Sequence, residues 1–215
     1  MEAFQTISSF VVHDLKNLAS TLSLTVQNLP IHFDNPEFRE DALRVISQSV
    51  TKIKGMCSNL STLSQKTDVK KVETDLNKLV INSLSCLNGS SNTPVFQEFH
   101  SLPRLSIDPE QVQKVLTNLI LNANEAVANG GEIRITTEQK DGWIILSVSD
   151  NGCGMSKEFI ERSLFRPFKT TKKQGMGIGL FQSKMIIEAH KGRIEVDSEP
   201  GKGSTFKVML PIKQT

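Results

Sequence analysis

A chain of 215 residues with 25 basic and 23 acidic side chains carries a formal net charge of +2. It is long enough for one or two buried cores, and its balance asks for neither nucleic acid nor a polybasic membrane patch. Cys57, Cys86 and Cys153 are far apart and follow no metal-ligand or paired spacing, which points to a reducing compartment. No apolar run has the length of a bilayer span, and Met1-Glu2-Ala3-Phe4 lacks the layout of a signal peptide. The expectation is a soluble, cytoplasmic piece of a longer protein.

At roughly 100° per residue, Phe4, Ile7, Val11, Leu15, Leu18, Leu22, Val26 and Leu29 form one stripe. They predict an amphipathic helix from about Phe4 to Leu29, stopped by Pro30. His13 falls on the opposite side, within Ser9-Phe10-Val11-Val12-His13-Asp14-Leu15-Lys16-Asn17. Asp14 and Asn17 can both reach the neighbourhood of its imidazole. A carboxylate beside an imidazole fixes the tautomer and leaves the other ring nitrogen nucleophilic. A lone exposed histidine is more often a solvated residue, so this stretch gains meaning only beside chemistry-bearing motifs elsewhere in the chain.

Asn35-Pro36-Glu37 reads as N-cap, first-position proline and first-turn acid of a second helix, with apolar residues from Phe38 to Leu63 spaced three and four apart. Two such helices make a hairpin whose stripe would be completed by a second copy in a four-helix bundle. Packing on the rest of the same chain is the alternative. Polar residues from Gln65 to Lys71 suggest a hinge. Beyond it, Val72 opens a strand, and Asp75 to Leu87 reads as a helix capped by Thr74 or Asp75. Val95 to Phe99 and Leu102 to Ile107 read as strands. Asp108-Pro109-Glu110 opens a helix reaching about Asn129, ended by Gly130-Gly131. Ile133 to Thr137 and Trp143 to Ser149 form a hairpin around Lys140-Asp141-Gly142. A glycine-rich, basic stretch from Asn151 to Gly175 precedes a helix to about His190, then strands Arg193 to Val196 and Thr205 to Leu210. Mixed strands and helices point to an α/β sandwich, and His190 reads as no more than a helix-end residue.

Four pieces of this second part look like one phosphate and purine site. Asn118 and Asn122 lie four apart on one helix face, and a carboxamide oxygen can complete the coordination of a phosphate-held Mg²⁺. Asparagine is a mediocre helix former, so three of them, at 118, 122 and 124, need a reason. Asp150 can accept from an exocyclic amine at a strand end, and Gly152 and Gly154 let backbone approach a base. Gly175, Gly177 and Gly179 lead into a helix N-terminus suited to anions. Gly201-Lys202-Gly203-Ser204-Thr205 turns into a strand whose Thr205 hydroxyl could bridge to the base. Between the second and third pieces, Phe165 and Phe168 could anchor a lid, with Lys169, Lys172 and Lys173 toward a polyphosphate. Each piece alone is weak; in this order they reinforce one another.

With these residues the chain resembles the sensor histidine kinases of two-component signalling. His13-Asp14-Leu15-Lys16-Asn17 is similar to the family's H-box, Asn118 to Ala123 to its N-box, and Asp150 to Gly154 to its G1 box. Phe165 to Phe168 is similar to the F-box, Gly175 to Gly179 to the G2 box, and Gly201 to Thr205 to the last glycine motif. The HDLKN form followed by NPEF is similar to the PrsK-like kinases associated with exopolysaccharide and exosortase systems. The resemblance implies an α+β chain of two domains. Residues 1–68 would be a dimerisation and phosphotransfer hairpin forming a dimeric four-helix bundle, and residues 69–215 a Bergerat-type (GHKL) α/β-sandwich ATP-binding domain.

It further implies that His13 takes the γ-phosphoryl group of ATP and passes it to an aspartate of a cognate response regulator. Asp14 would assist as base and Asn17 would orient water in a phosphatase reaction. Asn122 would hold Mg²⁺ and Asp150 the adenine amine. The partners implied are a second copy and the regulator, with any membrane anchor upstream. Two departures stand out: Leu18 replaces the proline that usually follows the H-box, and no sensor segment is present. The main rival is a water-activating ATPase of the same superfamily, which carries a glutamate where this chain has Asn118; a nucleotide-binding scaffold or a serine kinase is the other.

Overall fold

The computed structural model describes residues 2–64, 69–87, 93–128, 130–167, 169–170 and 177–212, without the side chains of 2–11, 13, 14, 54–64, 86 and 87. Phe168, Lys172 and Gly175 therefore lie outside the described residues. The chain divides into two compact units, Met1–Lys66 and Thr67–Thr215. Among the described residues no helix is long and apolar enough to cross a membrane.

The first unit is a hairpin of α1 (Glu2–His32) and α2 (Pro36–Ser64). Pro30 does not stop α1 at Leu29; it sits in the last turn, where its missing N–H removes a bond with almost no helix left beyond it. α2 begins as the sequence predicts, with Asn35 Oδ1 accepting the N–H of Glu37 at 3.0 Å and of Phe38 at 3.4 Å. The helix α1 runs unbroken through Leu18, which is buried in the hairpin along with Ala42 and Ser49. Five residues of the α1 stripe have described side chains, and Leu18 is the buried one. Leu22 and Leu29 are half-buried, whereas Leu15 and Val26 are 40% and 58% exposed.

The second unit runs β1 (Val72–Thr74), α3 (Leu76–Leu87), β2 (Val95–Phe99), β3 (Leu105–Ile107), α4 (Pro109–Ala126), β4 (Ile133–Lys140) and β5 (Trp143–Asp150). It continues with α5 (Lys157–Arg162), α6 (Gly179–Ala189), β6 (Arg193–Glu199) and β7 (Gly203–Pro211). A five-stranded sheet has the order β2-β4-β5-β7-β6, parallel only between β2 and β4, and β1 pairs with β3 in a small second sheet. Strand alternation decides the faces. Ile133 and Ile135 of β4, Leu146 and Val148 of β5, and Val208 and Leu210 of β7 are buried in one core with Leu84 of α3, Leu119 of α4 and Ile187 of α6. The opposite face carries Arg134, Glu138, Glu195 and Asp197, all exposed. The β4–β5 turn places Asp141 at φ 50° and Gly142 at φ 81°, the two-residue turn that matches strand twist.

Several boundaries differ from expectation. α4 ends at Ala126, because Val127 turns extended after its N–H closes the last turn on Ala123 O, while Ala126 O accepts the Cys153 N–H at 3.0 Å. α5 falls within the stretch expected to be glycine-rich loop; Ser156 caps it by accepting the Phe159 N–H at 3.2 Å. β3 is shorter than the stretch from Leu102.

Asp108 caps α4 through Oδ1, which accepts the Gln111 N–H at 3.1 Å, and its Oδ2 accepts the Lys70 N–H at 3.0 Å and the Gln111 side-chain amide at 3.2 Å. Burial raises its pKa, but these hydrogen bonds, with His190 nearby, outweigh it and hold the carboxyl below its ordinary value. His190, fully buried, accepts the Asp108 N–H at Nε2 at 2.9 Å and donates from Nδ1 to Ile186 O at 2.7 Å. It is a tie between two helices, more than the helix-end residue the sequence suggests.

Leu119 is fully buried on the core face of α4. Leu119→Ala should therefore cost about 2–5 kcal/mol, read from urea unfolding with an unchanged denaturant slope; a loss near zero would place α4 off the sheet.

Candidate functional site

Asp150 is the last residue of β5, and alternation turns it to the helix-covered face of the sheet, where it is 9% exposed. Its Oδ1 accepts the Gly152 N–H at 2.9 Å. Burial raises its pKa, opposed by the backbone N–H groups of Gly152 and Ser204. Among the described residues the carboxylate meets two donors, and two carboxylate oxygens can accept more than that.

Backbone crowding forces this placement. Gly203 has φ +99°, and a Cβ on it would overlap Asp150 O; Gly154 has φ +63°, and a Cβ would overlap Glu199 O. Both positions exclude other residues by conformation and by space. Gly201 N–H then donates to Cys153 O at 2.8 Å. A Cβ at Gly152 would overlap Ala126 O, so the loop also lies against the end of α4. Ser198 Oγ accepts the Met155 N–H at 2.9 Å and donates to Gly203 O at 2.9 Å. Asn151 is structural: its Oδ1 accepts the Glu132 N–H at 2.8 Å.

Thr205 is not in this group. Asp150 pairs with Ser204 and Ser149 with Thr205, so Thr205 lies on the sheet face opposite Asp150 and its hydroxyl is 2.9 Å from Ser149 Oγ. Ser204, buried and 3.0 Å from Ser198 Oγ, occupies the place beside Asp150. The signal was present: Phe206, Val208 and Leu210 face the core, and period two puts Ser204 with them.

Asn118, Asn122 and Ala126 stand one turn apart on a single face of α4. At the Ala126 end this face meets the Gly152–Cys153 loop; at the Asn118 end it meets α6. Asn118 Nδ2 donates to the buried Ser183 Oγ at 3.0 Å, and a Cβ on Gly179 would overlap the Asn118 side chain. Asn122 is half-buried between the two ends. α6 has no side-chain cap at Ile178, and a helix N-terminus of this kind favours an anionic acceptor. Gly177, at φ +64°, approaches the Lys169 backbone so closely that a Cβ would sit 2.6 Å from Lys169 O. Phe165 packs on the core with Lys184 Nζ 5.6 Å from its ring.

Residues 107–214 match the family described as Histidine kinase-, DNA gyrase B-, and HSP90-like ATPase. The chain belongs to this family. Sensor histidine kinase ZraS of Escherichia coli strain K12 is 29% identical over 213 residues, 97% of this chain and 46% of ZraS. The catalytic domain of histidine kinase ThkA superposes with a TM-score of 0.61 at 31% identity, over 66% of this chain and 96% of that domain. A structure of ThkA in complex with response regulator protein TrrA shares the fold over 97% of this chain and 61% of that one, with a TM-score of 0.76 at 23% identity. The chain spans less than half the length of the curated relatives it matches. Its second unit is thus an ATP-binding domain of the histidine kinase type.

Among the H-box residues, Asn17 is exposed on α1 beside exposed Lys16 and Leu15, and its carbonyl accepts the Thr21 hydroxyl at 3.0 Å. His13 and Asp14 are helical positions of the same stretch, with side chains outside those described. The glycine triplet is described only from Gly177 onward. Ser183, Ser198 and Ser204 join the site without having stood out in the sequence, and for the first two nothing local marks them.

The raised pKa of Asp150, above an ordinary 3.8, means that the folded chain binds this proton more tightly than the unfolded chain. Its contribution to stability is therefore lost as pH rises from about 4 through the folded value. Asp150→Asn, which keeps an acceptor for Gly152, should melt above the parent at neutral pH, the gap closing toward about pH 4. Melting curves across that range check this; a gap independent of pH would count against a buried charge.

Proposed function

We propose that the chain is the kinase core of a two-component sensor, transferring the γ-phosphoryl group of ATP to His13 and then to an aspartate on a response regulator. The observation that carries the reading is the α4 face joining the buried Asp150 carboxylate to the uncapped N-terminus of α6. One end suits the amine of a purine, and the other suits phosphate oxygens. Asp150 accepts from the adenine amine, with Ser204 beside it in the role expected of Thr205. Gly152 and Gly154 admit the base, and Gly175, Gly177 and Gly179 the phosphates, with Phe168 and Lys172 on the covering segment. The Asn122 carboxamide is a suitable ligand for Mg²⁺, which would neutralise charge on the phosphates when bound.

His13 attacks phosphorus with an imidazole nitrogen, the bond from phosphorus to the bridging oxygen breaks, and ADP leaves. Asp14 holds the imidazole proton and orients the ring. Asn17, exposed on the same helix, orients water when the regulator is dephosphorylated. The ThkA complex with TrrA supports a regulator partner. The exposure of the stripe residues Leu15 and Val26, at 40% and 58%, supports a homodimer through a four-helix bundle. The reading places this core in the cytoplasm. Hydrolysis by an ATPase of the same superfamily is the weaker reading, because the position one turn before Asn122 is Asn118, whose amide is engaged by Ser183.

Intact mass after incubation with Mg-ATP near neutral pH should show one phosphoryl group on the parent and none on His13→Ala. Equal labelling of both would move the acceptor elsewhere, and ATP turnover without labelling would favour the ATPase. Asn122→Ala should lose most of the Mg²⁺-dependent part of its nucleotide affinity in calorimetry, with its melting curve little changed. In sedimentation velocity the parent should run as a dimer; a monomer at the concentrations used for phosphorylation would remove the bundle.

A further inference from the structure

α6 is joined to α4 near both ends of α6. At one end Asn118 Nδ2 donates to Ser183 Oγ at 3.0 Å and Gly179 lies against the Asn118 side chain. At the other, Asp108 N–H donates to His190 Nε2 at 2.9 Å. The imidazole has one workable tautomer there: Nδ1 carries the proton, donated to Ile186 O at 2.7 Å, and Nε2 must stay unprotonated to accept. Beyond it the chain has no slack. Lys191 takes φ +59°, and a Cβ on Gly192 would overlap Met209 O of β7.

A helix is a stiff rod rising about 1.5 Å per residue, so an anchor at His190 sets the axial height of Gly179. That height matters because Ile178 offers no side-chain cap: the N–H groups at the start of α6 are aimed by where the helix sits. We propose that His190 is a positioning residue for nucleotide binding, holding α6 in step with α4 so that the first turn of α6 stands at the phosphate end of the Asn118–Asn122 face. The inference rests on the ATP-binding reading of the second unit. Asp108 extends the tie, since its carboxylate also takes the Lys70 N–H at 3.0 Å, so the segment leading into β1 is bound to the same node.

Two substitutions separate the two ring nitrogens. His190→Gln reaches Asp108 N–H with a carbonyl oxygen, whereas His190→Asn can donate to Ile186 O but falls short of Asp108. Titration of the whole chain with trinitrophenyl-ATP, beside thermal melts and amide exchange without nucleotide, tests the proposal. Ile135→Ala, in the β4 core and fully buried, serves as a destabilised control. His190→Asn should weaken binding by about tenfold or more and His190→Gln should stay within about threefold of the parent. Exchange over residues 179–183 should quicken in the Asn variant, and the control should keep its affinity. Affinity unchanged in His190→Asn, or lost equally in both variants and in the control, overturns the proposal. A parent that binds no trinitrophenyl-ATP overturns the nucleotide reading as well.

Discussion

The close approach of backbone to backbone around Asp150 is the constraint on which the rest of the second unit depends. Where Gly203 passes Asp150 O and Gly154 passes Glu199 O, no side chain fits. The end of β5, the loop after it and the β6–β7 turn are consequently pressed into one block. That block buries a carboxylate steadied, among the described residues, by the Gly152 and Ser204 backbone groups. A fold selected for stability alone would have placed a neutral residue there. A buried carboxylate with a raised pKa in such a position is a candidate functional group.

α4 carries this local arrangement across the unit. Its inner face, with Val112, Val115, Leu116 and Leu119, is core, and its outer face presents Asn118 and Asn122 between two anchored ends. The three asparagines that lower its helix propensity serve different purposes. Asn118 is spent on Ser183 and Asn124 accepts the Thr93 hydroxyl at 2.8 Å, whereas Asn122 lies at the middle of the site face. Packing against the sheet offsets the propensity that these residues give up, as is usual for helices in globular domains.

Elements with a strong period were legible in the sequence: the hairpin helices, the β4–β5 hairpin, the Asp108-Pro109 start of α4 and the Asn35 cap. Contacts between distant segments decided the features that were not. α4 stops at Ala126 because that carbonyl is committed to Cys153, 27 residues on in a loop whose path local pattern does not reveal. Pro30 fails as a stop because position within the last turn outweighs residue type. Ser204 and Thr205 differ in another way, since strand parity alone tells which of the two shares a face with Asp150. His190 illustrates the opposite limit. Its neighbours Lys191 and Gly192 suffice to explain a helix end, and nothing local hints at a bond to Asp108 at the start of another helix. The family resemblance rested on the order of the motifs, and that order was visible without any of these details.

The hairpin poses a separate problem of stability. Among the residues of α1 and α2 whose side chains are described, Leu18 and Ala42 are the buried apolar ones. Leu15 and Val26 of the α1 stripe and Val50 of α2 remain exposed. Helices of 31 and 29 residues draw most of their stability from packing of an apolar face, and a face this open is a surface awaiting a partner. A four-helix bundle would cover it with the same residues from a second copy. In the proposed dimer the stripe that includes Leu15 would hold α1 straight, while His13, two positions earlier in the sequence, falls on the other side of the wheel. Under the proposed phosphotransfer, packing and chemistry would fall on opposite faces of one helix, and the acceptor would meet two successive partners without loosening the bundle that supports it.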